Sequence, residues 1–305
     1  MIASLTDGDL LAFLHEAKIL TGLEGATLKA LPVNYTSRFW RLETGQRIYV
    51  IKEFYPGLED NPLYPTLPDH EAAALIDLER QALAPRLEAY CQSPQGHPLL
   101  IYGYAPAAED DVPLDAATAL IARLSAVGLP SGGYRPVPMG GAAVLRHGDA
   151  FLSLIAGCAK AVNLARLRPD HTAGIPGPGQ PSLVHRSLSP GTLQATARGV
   201  RLIDWQYSGL GDPIEDLAGF LSPGLTTLYG MRPLVTDAEN LFFDYYPHRD
   251  ILDRFHRLRA AYHWRLAAYC LYRQETLSAS NPPAARAYGR ALEEEVDLLL
   301  RLRGR

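Results

Sequence analysis

Apolar and polar positions alternate in three short runs near the start of the chain, "ATLKAL", "FWRLET" and "RIYVIKEFY". This period of two predicts strands, the last two joined by a turn at Gly45 and Gln46. Ahead of them Leu10, Leu11, Phe13 and Leu14 share one broad helical face, which Thr6 or Asp7 can cap. A Pro-rich loop over 55–68 leads to a predicted helix, "DHEAAALIDLERQAL", with Asp69 as its N-cap and Pro85 just beyond its end. "HPLLIYGYAPA" then reads as a further strand running into a connector near Tyr102 to Pro106.

Beyond the connector the spacing becomes mostly helical. Helices are predicted over 114–127 and 149–167, followed by a Pro- and Gly-rich loop, "PDHTAGIPGPGQP". Two short strands, 193–196 and 200–204, turn at Ala197, Arg198 and Gly199. Helical segments near 213–221, 237–246, 250–275 and 283–303 complete the chain. The expected organisation is α+β: a small β-rich part over 1–101 and a larger, mainly helical part over 102–305.

Two polar positions break this pattern. Strand alternation puts Lys52 on one face with Ile48, Val50 and Phe54. Helical spacing puts Glu71 on a face with Ala74, Leu75 and Leu78. A buried ammonium or carboxylate is costly unless paired, so these two are expected to pair with each other.

Composition narrows the function classes. The chain has 305 residues, 47% apolar and 20% charged, an ordinary globular balance. A formal net charge of -4 gives no support for nucleic-acid binding. Only Lys18, Lys29, Lys52 and Lys160 are lysines, so each lysine in this Arg-rich chain merits attention. Cys91, Cys158 and Cys270 are far apart, match no metal or redox spacing, and read as reduced thiols. The first residues, with Asp7, Asp9 and Glu16, do not read as a signal peptide, and no apolar run is long enough for a membrane span. A cytoplasmic protein with no nucleic-acid or membrane partner is expected.

The candidate chemistry lies in "LVHRSLSPGTLQATARGVRLIDWQYSGLGDPIEDLAGF". Asp204 ends a short strand, which suits a metal ligand but also a simple turn. Asp212, before Pro213, reads as a helix cap. The stretch as a whole resembles the signature of the aminoglycoside phosphotransferase and choline kinase family, H-G-D-x-x-P-x-N-x-L followed by I-D-W-x-x-x-G-x-G-D-P-x-x-D-L-A. His185, Pro190, Ile203, Asp204, Trp205, Gly209, Gly211, Asp212, Pro213, Asp216, Leu217 and Ala218 fall on that pattern.

The resemblance implies a protein-kinase-like two-lobe fold and ATP-dependent phosphorylation of a hydroxyl on a small molecule, with ATP and Mg²⁺ as cofactors. It implies that Lys52 and Glu71 serve the nucleotide phosphates, that backbone near Tyr102 and Tyr104 meets the adenine, and that Asp204 holds metal. The chain departs from the pattern at three places. The catalytic Asp is Ser187, and a hydroxyl has too little basicity to replace a base that is typically worth about 10²–10⁴-fold. The metal-binding Asn is Thr192, and a small residue between His185 and Ser187 is Arg186, able either to meet a phosphate or to fill the site. The loop "LPVNYTSRFW" has no Gly with which to approach phosphate, although Asn34, Thr36 and Ser37 can donate hydrogen bonds.

Glu215, Asp216, Asp170 and Asp244 are candidate stand-ins for the missing base. Tyr245, Tyr246, Tyr262, Trp264, Tyr269 and Tyr272 either pack helix on helix or cage a cationic acceptor. Two functions follow: a catalytically degenerate member that keeps Lys52, Glu71 and Asp204 and binds a nucleotide (weakly or without metal), a small molecule or a protein, or a working small-molecule kinase with altered loop chemistry.

Overall fold

The computed structural model describes residues 6–32, 36–104, 112–130, 132–197 and 199–304. Asn34, Pro106 and Arg198, singled out above, lie outside them. The chain forms two compact units, one of residues 1–111, 131–133 and 194–208, the other of 112–130, 134–193 and 209–305.

The first unit opens with helix α1 (Asp7–Glu16), capped by Thr6, whose hydroxyl accepts from the Asp9 amide. Strands β1 (Thr27–Leu31), β2 (Ser37–Glu43) and β3 (Ile48–Phe54) follow, then α2 (Pro68–Leu78), β4 (Leu87–Gln92) and β5 (Pro98–Gly103). The strands make one antiparallel five-stranded sheet in the order β1-β2-β3-β5-β4. One face packs on α1 through Trp40, Leu42, Ile51, Leu99 and Ile101, with Leu10 and Leu14. Because side chains alternate, Lys52, paired with Leu100 on one side and Phe39 on the other, falls on the opposite face.

Three details of the first unit differ from the sequence expectation. Helix α2 begins one residue earlier, with Pro68 in its first turn, where a missing N–H is no loss. Asp69 is therefore not its cap, and its carboxylate accepts from the Tyr90 hydroxyl at 2.5 Å. Strand β4 was not expected; it is an edge strand with mostly part-exposed side chains and a bulge, so it lacks a clean apolar alternation. The hairpin of β7 (Leu193–Thr196) and β8 (Gly199–Leu202), and the residues to Ser208, group with this unit rather than with the helical part. Backbone bonds tie them there: Leu202 N–H donates to Leu83 C=O at 2.8 Å, and Leu67 N–H to Gln206 C=O at 3.0 Å.

The second unit holds α3 (Leu114–Ser125), α4 (Gly141–Ser153), α5 (Ala159–Ala165), β6 (Ser182–Val184), β9 (Gly209–Gly211), α6 (Ile214–Phe220), α7 (Pro223–Leu228), α8 (Thr236–Tyr245), α9 (Arg249–Leu277) and α10 (Pro282–Arg303). The single helix expected over 149–167 is two, α4 and α5, separated near Gly157. Helix α4 starts at Gly141, ahead of the expected 149, and Gly141 lies against backbone, where an added Cβ would be 1.8 Å from the Thr172 oxygen. Helix α9 is the spine of this unit, buried through Ala261 to Leu271. Trp264 on it is packed by Gly148 of α4 and donates to Leu164 C=O at 2.9 Å. Its His263 Nδ1 lies 2.8 Å from Glu295 Oε2 of α10, and Glu295 Oε1 accepts from the Gly224 amide and the Ser222 hydroxyl at the start of α7. Among the described residues no helix is long and apolar enough to cross a membrane.

Candidate functional site

The first unit assembles a charged cluster on the α2-facing side of its sheet. Lys52 is fully buried on β3. Its Nζ donates to Glu71 Oε2 at 2.7 Å, Asp204 Oδ1 at 2.9 Å and Gln206 Oε1 at 2.5 Å. The ammonium thus meets three acceptors, its full donor capacity. The Phe39 and Phe54 rings flank it, with centroids 5.5 and 4.9 Å from Nζ. Burial alone would lower the Lys52 pKa, but the Asp204 and Glu71 carboxylates outweigh it and hold the ammonium above its ordinary value. Burial pushes Glu71 up, and Lys52 pulls it back toward ionisation.

Asp204 follows β8 in a left-handed conformation, φ 65° and ψ 55°, uncommon for a residue with a Cβ. This turn aims its carboxylate at Lys52 while 27% of the side chain stays exposed. Gln206 extends the network, since its Nε2 donates to Thr36 Oγ1 at 3.2 Å and Thr36 Oγ1 in turn accepts from Ser37 Oγ at 3.3 Å. Tyr102 is buried in β5, and burial raises its phenol. Tyr104 stacks beneath the Arg41 guanidinium at 5.2 Å, and its amide donates to Ile48 C=O.

The second unit holds the loop 185–192. Asp216 on α6 accepts from the His185 and Arg186 amides at 2.9 and 2.7 Å, which fixes the backbone of the loop. Burial pushes the Asp216 carboxyl up to about 7, with these two amides opposing the shift. Arg186 has φ 73°, in the left-handed region that favours glycine. Its side chain is buried, with Nε 3.6 Å from Glu215 Oε1, and Arg265 Nη2 donates to the same oxygen at 2.7 Å. Burial would raise Glu215, but Arg265 and Arg186 outweigh it and hold the carboxyl below its ordinary value. Ser187 is buried, its Oγ 3.4 Å from His185 Nδ1. The Thr192 hydroxyl is committed locally, donating to Ser189 C=O at 2.9 Å and accepting from Ser189 N–H at 3.0 Å.

A model of the phosphotransferase enzyme family matches residues 27–260. The chain belongs to this family. A search of curated proteins returns no match. Solved structures share the fold at low identity. A choline/ethanolamine kinase family protein from Mesorhizobium loti is 16% identical, with 97% of this chain and 94% of that one covered and a TM-score of 0.66. A choline kinase from Streptococcus pneumoniae is 16% identical over 96% of this chain and 100% of that one, with a TM-score of 0.60. A spectinomycin phosphotransferase in complex with ADP and spectinomycin is 13% identical over 92% and 97%, with a TM-score of 0.55.

Within this phosphotransferase-family fold, Lys52, Glu71 and Asp204 come together in the first unit, and His185, Arg186, Ser187 and Thr192 belong to the second. The stand-in carboxylates have other partners. Asp216 holds the loop backbone, Glu215 sits between two arginines, Asp170 is an exposed turn residue paired with Arg168, and Asp244 is exposed on α8. Asp212 accepts from the Ile214 amide at 3.2 Å and also takes both ends of the Arg254 fork, at 2.8 and 3.0 Å. Most of the aromatic candidates pack within the unit: Tyr246, Tyr262, Trp264 and Tyr269 are buried, Tyr246 donates to Ser125 Oγ at 2.7 Å, and Phe151 meets Tyr269 edge-on and stacks with Tyr272, whereas Tyr245 is exposed on α8. Sequence reasoning missed Gln206, which bridges Lys52 to Thr36, and Arg265, the second partner of Glu215. Helical spacing from Tyr262 and Trp264 would have placed Arg265 on a buried stretch of α9.

Proposed function

We propose that the protein is a catalytically degenerate member of the phosphotransferase family that retains the phosphate-facing part of a nucleotide site and lacks the base for phosphoryl transfer. The observation that carries this reading is the loop at Ser187. A buried hydroxyl stands where the chemistry asks for a carboxylate, and each nearby carboxylate of that unit is already bonded to backbone or guanidinium.

The residues fit a nucleotide in part. Lys52 can turn its Asp204 and Gln206 bonds over to phosphate oxygens while Glu71 keeps it oriented, and Thr36 and Ser37 add hydroxyl donors. A bound ATP–Mg²⁺ would supply the transferable phosphoryl group and its charge neutralisation. Asp204 is the carboxylate available to that metal, and the Thr192 hydroxyl is spent on the Ser189 backbone. Binding of ATP is therefore expected to be weak and little changed by Mg²⁺. The intact Lys52–Glu71–Asp204 set favours a second reading, an active ATP-dependent small-molecule kinase.

Thermal-shift titration with ATP, with and without Mg²⁺, followed by an ATP-consumption assay over small hydroxyl and amino compounds, separates the two. Metal-insensitive stabilisation without turnover fits the degenerate reading. Tight binding abolished by chelating Mg²⁺, with acceptor-dependent ATP consumption, overturns it.

A further inference from the structure

Gln206 is the neutral partner in the Lys52 cluster. Glu71 and Asp204 set two carboxylates against one ammonium, and the Gln206 carbonyl takes the third N–H at 2.5 Å. All three Lys52 donors are thereby used, so a phosphate oxygen gains Lys52 only where one acceptor leaves. The acceptors do not leave with equal ease. Glu71 is a buried carboxylate, and its release would strand that charge. Asp204 is part-exposed and can hydrate, yet its release separates opposite charges. Release of Gln206 breaks a hydrogen bond without separating charges.

The same side chain reaches a hydroxyl that the proposed reading gives to phosphate. Its Nε2 donates to Thr36 Oγ1 at 3.2 Å, and Thr36 Oγ1 also accepts from Ser37 Oγ at 3.3 Å. The main chain at 206 is anchored separately. Its C=O accepts from Leu67 N–H at 3.0 Å, ahead of α2, and the neighbouring Trp205 is buried with its indole donating to Leu202 C=O at 3.1 Å. A change of rotamer at Gln206 thus frees Lys52 and Thr36 together and leaves the backbone in place.

From this arrangement we infer that Gln206 is an internal stand-in for a phosphate oxygen: it latches Lys52 to Thr36, competes with the polyphosphate of a nucleotide for both, and sets the affinity of the site. The inference rests on the nucleotide reading proposed above and adds to it the residue that holds the affinity down. This cause of weak binding is separate from the loop 185–192, whose residues belong to the other unit.

The test measures binding of ATP, inorganic triphosphate and adenosine to the full chain by isothermal titration, in EDTA at fixed ionic strength. Gln206→Ala leaves one Lys52 N–H without its acceptor. It is expected to bind ATP and triphosphate about tenfold more tightly than the parent, the scale of one hydrogen bond to a charged group. Adenosine, which has no phosphate, is expected to bind both alike. Gln206→Glu keeps the acceptor and adds a third carboxylate, so ATP and triphosphate should bind it about tenfold more weakly. Opposite signs at one position separate competition from a supporting role, in which both variants would bind worse. Gln206→Met has similar length and no amide; it is expected to follow the alanine variant and serves where alanine does not fold. ATP binding to the alanine and methionine variants no tighter than to the parent overturns the latch alone, as does a gain shared by Gln206→Glu or equally large for adenosine. ATP binding to none of these proteins overturns the nucleotide reading, and the latch with it.

Discussion

Lys52→Met removes the cation from among Glu71, Asp204 and Gln206 and leaves an apolar side chain of similar length. Two carboxylates lose their partner, but not equally. Asp204 is 27% exposed and can hydrate, whereas Glu71 is 1% exposed. Removing one partner of a buried ion pair costs about 3–5 kcal/mol, and most of that cost falls on Glu71. The cost depends on pH. Burial already raises Glu71 above its ordinary 4.5, and Lys52 is among the groups that lower it, so the substitution raises it further. A carboxyl with a raised folded-state pKa contributes stability below its unfolded pKa and loses it as pH rises through the folded value. Lys52 itself is charged in both folded and unfolded states from pH 5 to 8 and adds no slope there. The variant is therefore expected to lose less at pH 5 than at pH 8. Urea unfolding followed by tryptophan fluorescence measures this, since Trp40 and Trp205 are both buried in the first unit. Replacing both partners, as in Lys52→Met/Glu71→Met, is expected to return stability to within about 1 kcal/mol of the parent, because apolar pairs of similar volume often replace buried ion pairs at little cost. A single variant within about 0.5 kcal/mol of the parent at pH 8, or a double variant as unstable as the single, refutes the argument.

Three further outcomes are expected. Asp216 has its carboxyl pushed up to about 7 by burial, so the stability of the parent relative to Asp216→Asn should fall as pH rises from about 4 to 7 and then level off; urea unfolding at several pH values reads the slope, and a flat difference would contradict it. Gly148→Ala would place a Cβ 2.4 Å from the Trp264 ring, so calorimetry should show a loss of about 1–3 kcal/mol, the usual cost of overpacking. Ser187→Asp with Thr192→Asn, in an Arg186→Gly background, should raise ATP turnover at least about 10²-fold, the low end of general-base assistance, with each single change doing little because the groups act as a unit; no gain in the triple variant would mean that the defect lies elsewhere.

Much of the first unit was legible because its chemistry conflicts with its surroundings. Lys52 on an apolar strand face and Glu71 on an apolar helix face each need a counter-charge, and the 2.7 Å pair is that resolution. The hairpin carrying Asp204 was visible as strands, yet its grouping with the first unit was not. That grouping is set by backbone bonds such as Leu202 to Leu83, and backbone bonds leave no mark on residue type. Strand β4 escaped for a related reason: as an edge strand with mostly part-exposed side chains, it needs no alternation. The break between α4 and α5 escaped because Leu152, Phe151 and Leu164 keep an apolar rhythm on both sides of it.

Under the proposed reading, the residues at 186 and 187 bear on the same chemistry. At position 186 the backbone takes a left-handed turn that costs a residue with a Cβ about 1–2 kcal/mol. The arginine there turns inward, and its guanidinium lies against Glu215, a carboxylate that Arg265 also holds. Glu215 is one residue from Asp216, and on the proposed reading an acid in that region is the first candidate for the base that Ser187 does not supply. Two guanidiniums keep it ionised and poorly basic, below its ordinary value, and its 3% exposure keeps it from solvent. Asp216, the other candidate, has a carboxyl pushed up to about 7 by burial, but its two oxygens each accept a backbone amide, from His185 and Arg186, which fixes it to the loop backbone. On the degenerate reading proposed above, arginine at 186 and serine at 187 act in the same direction: the serine offers no base, and the arginine ties up a carboxylate that could stand in for one.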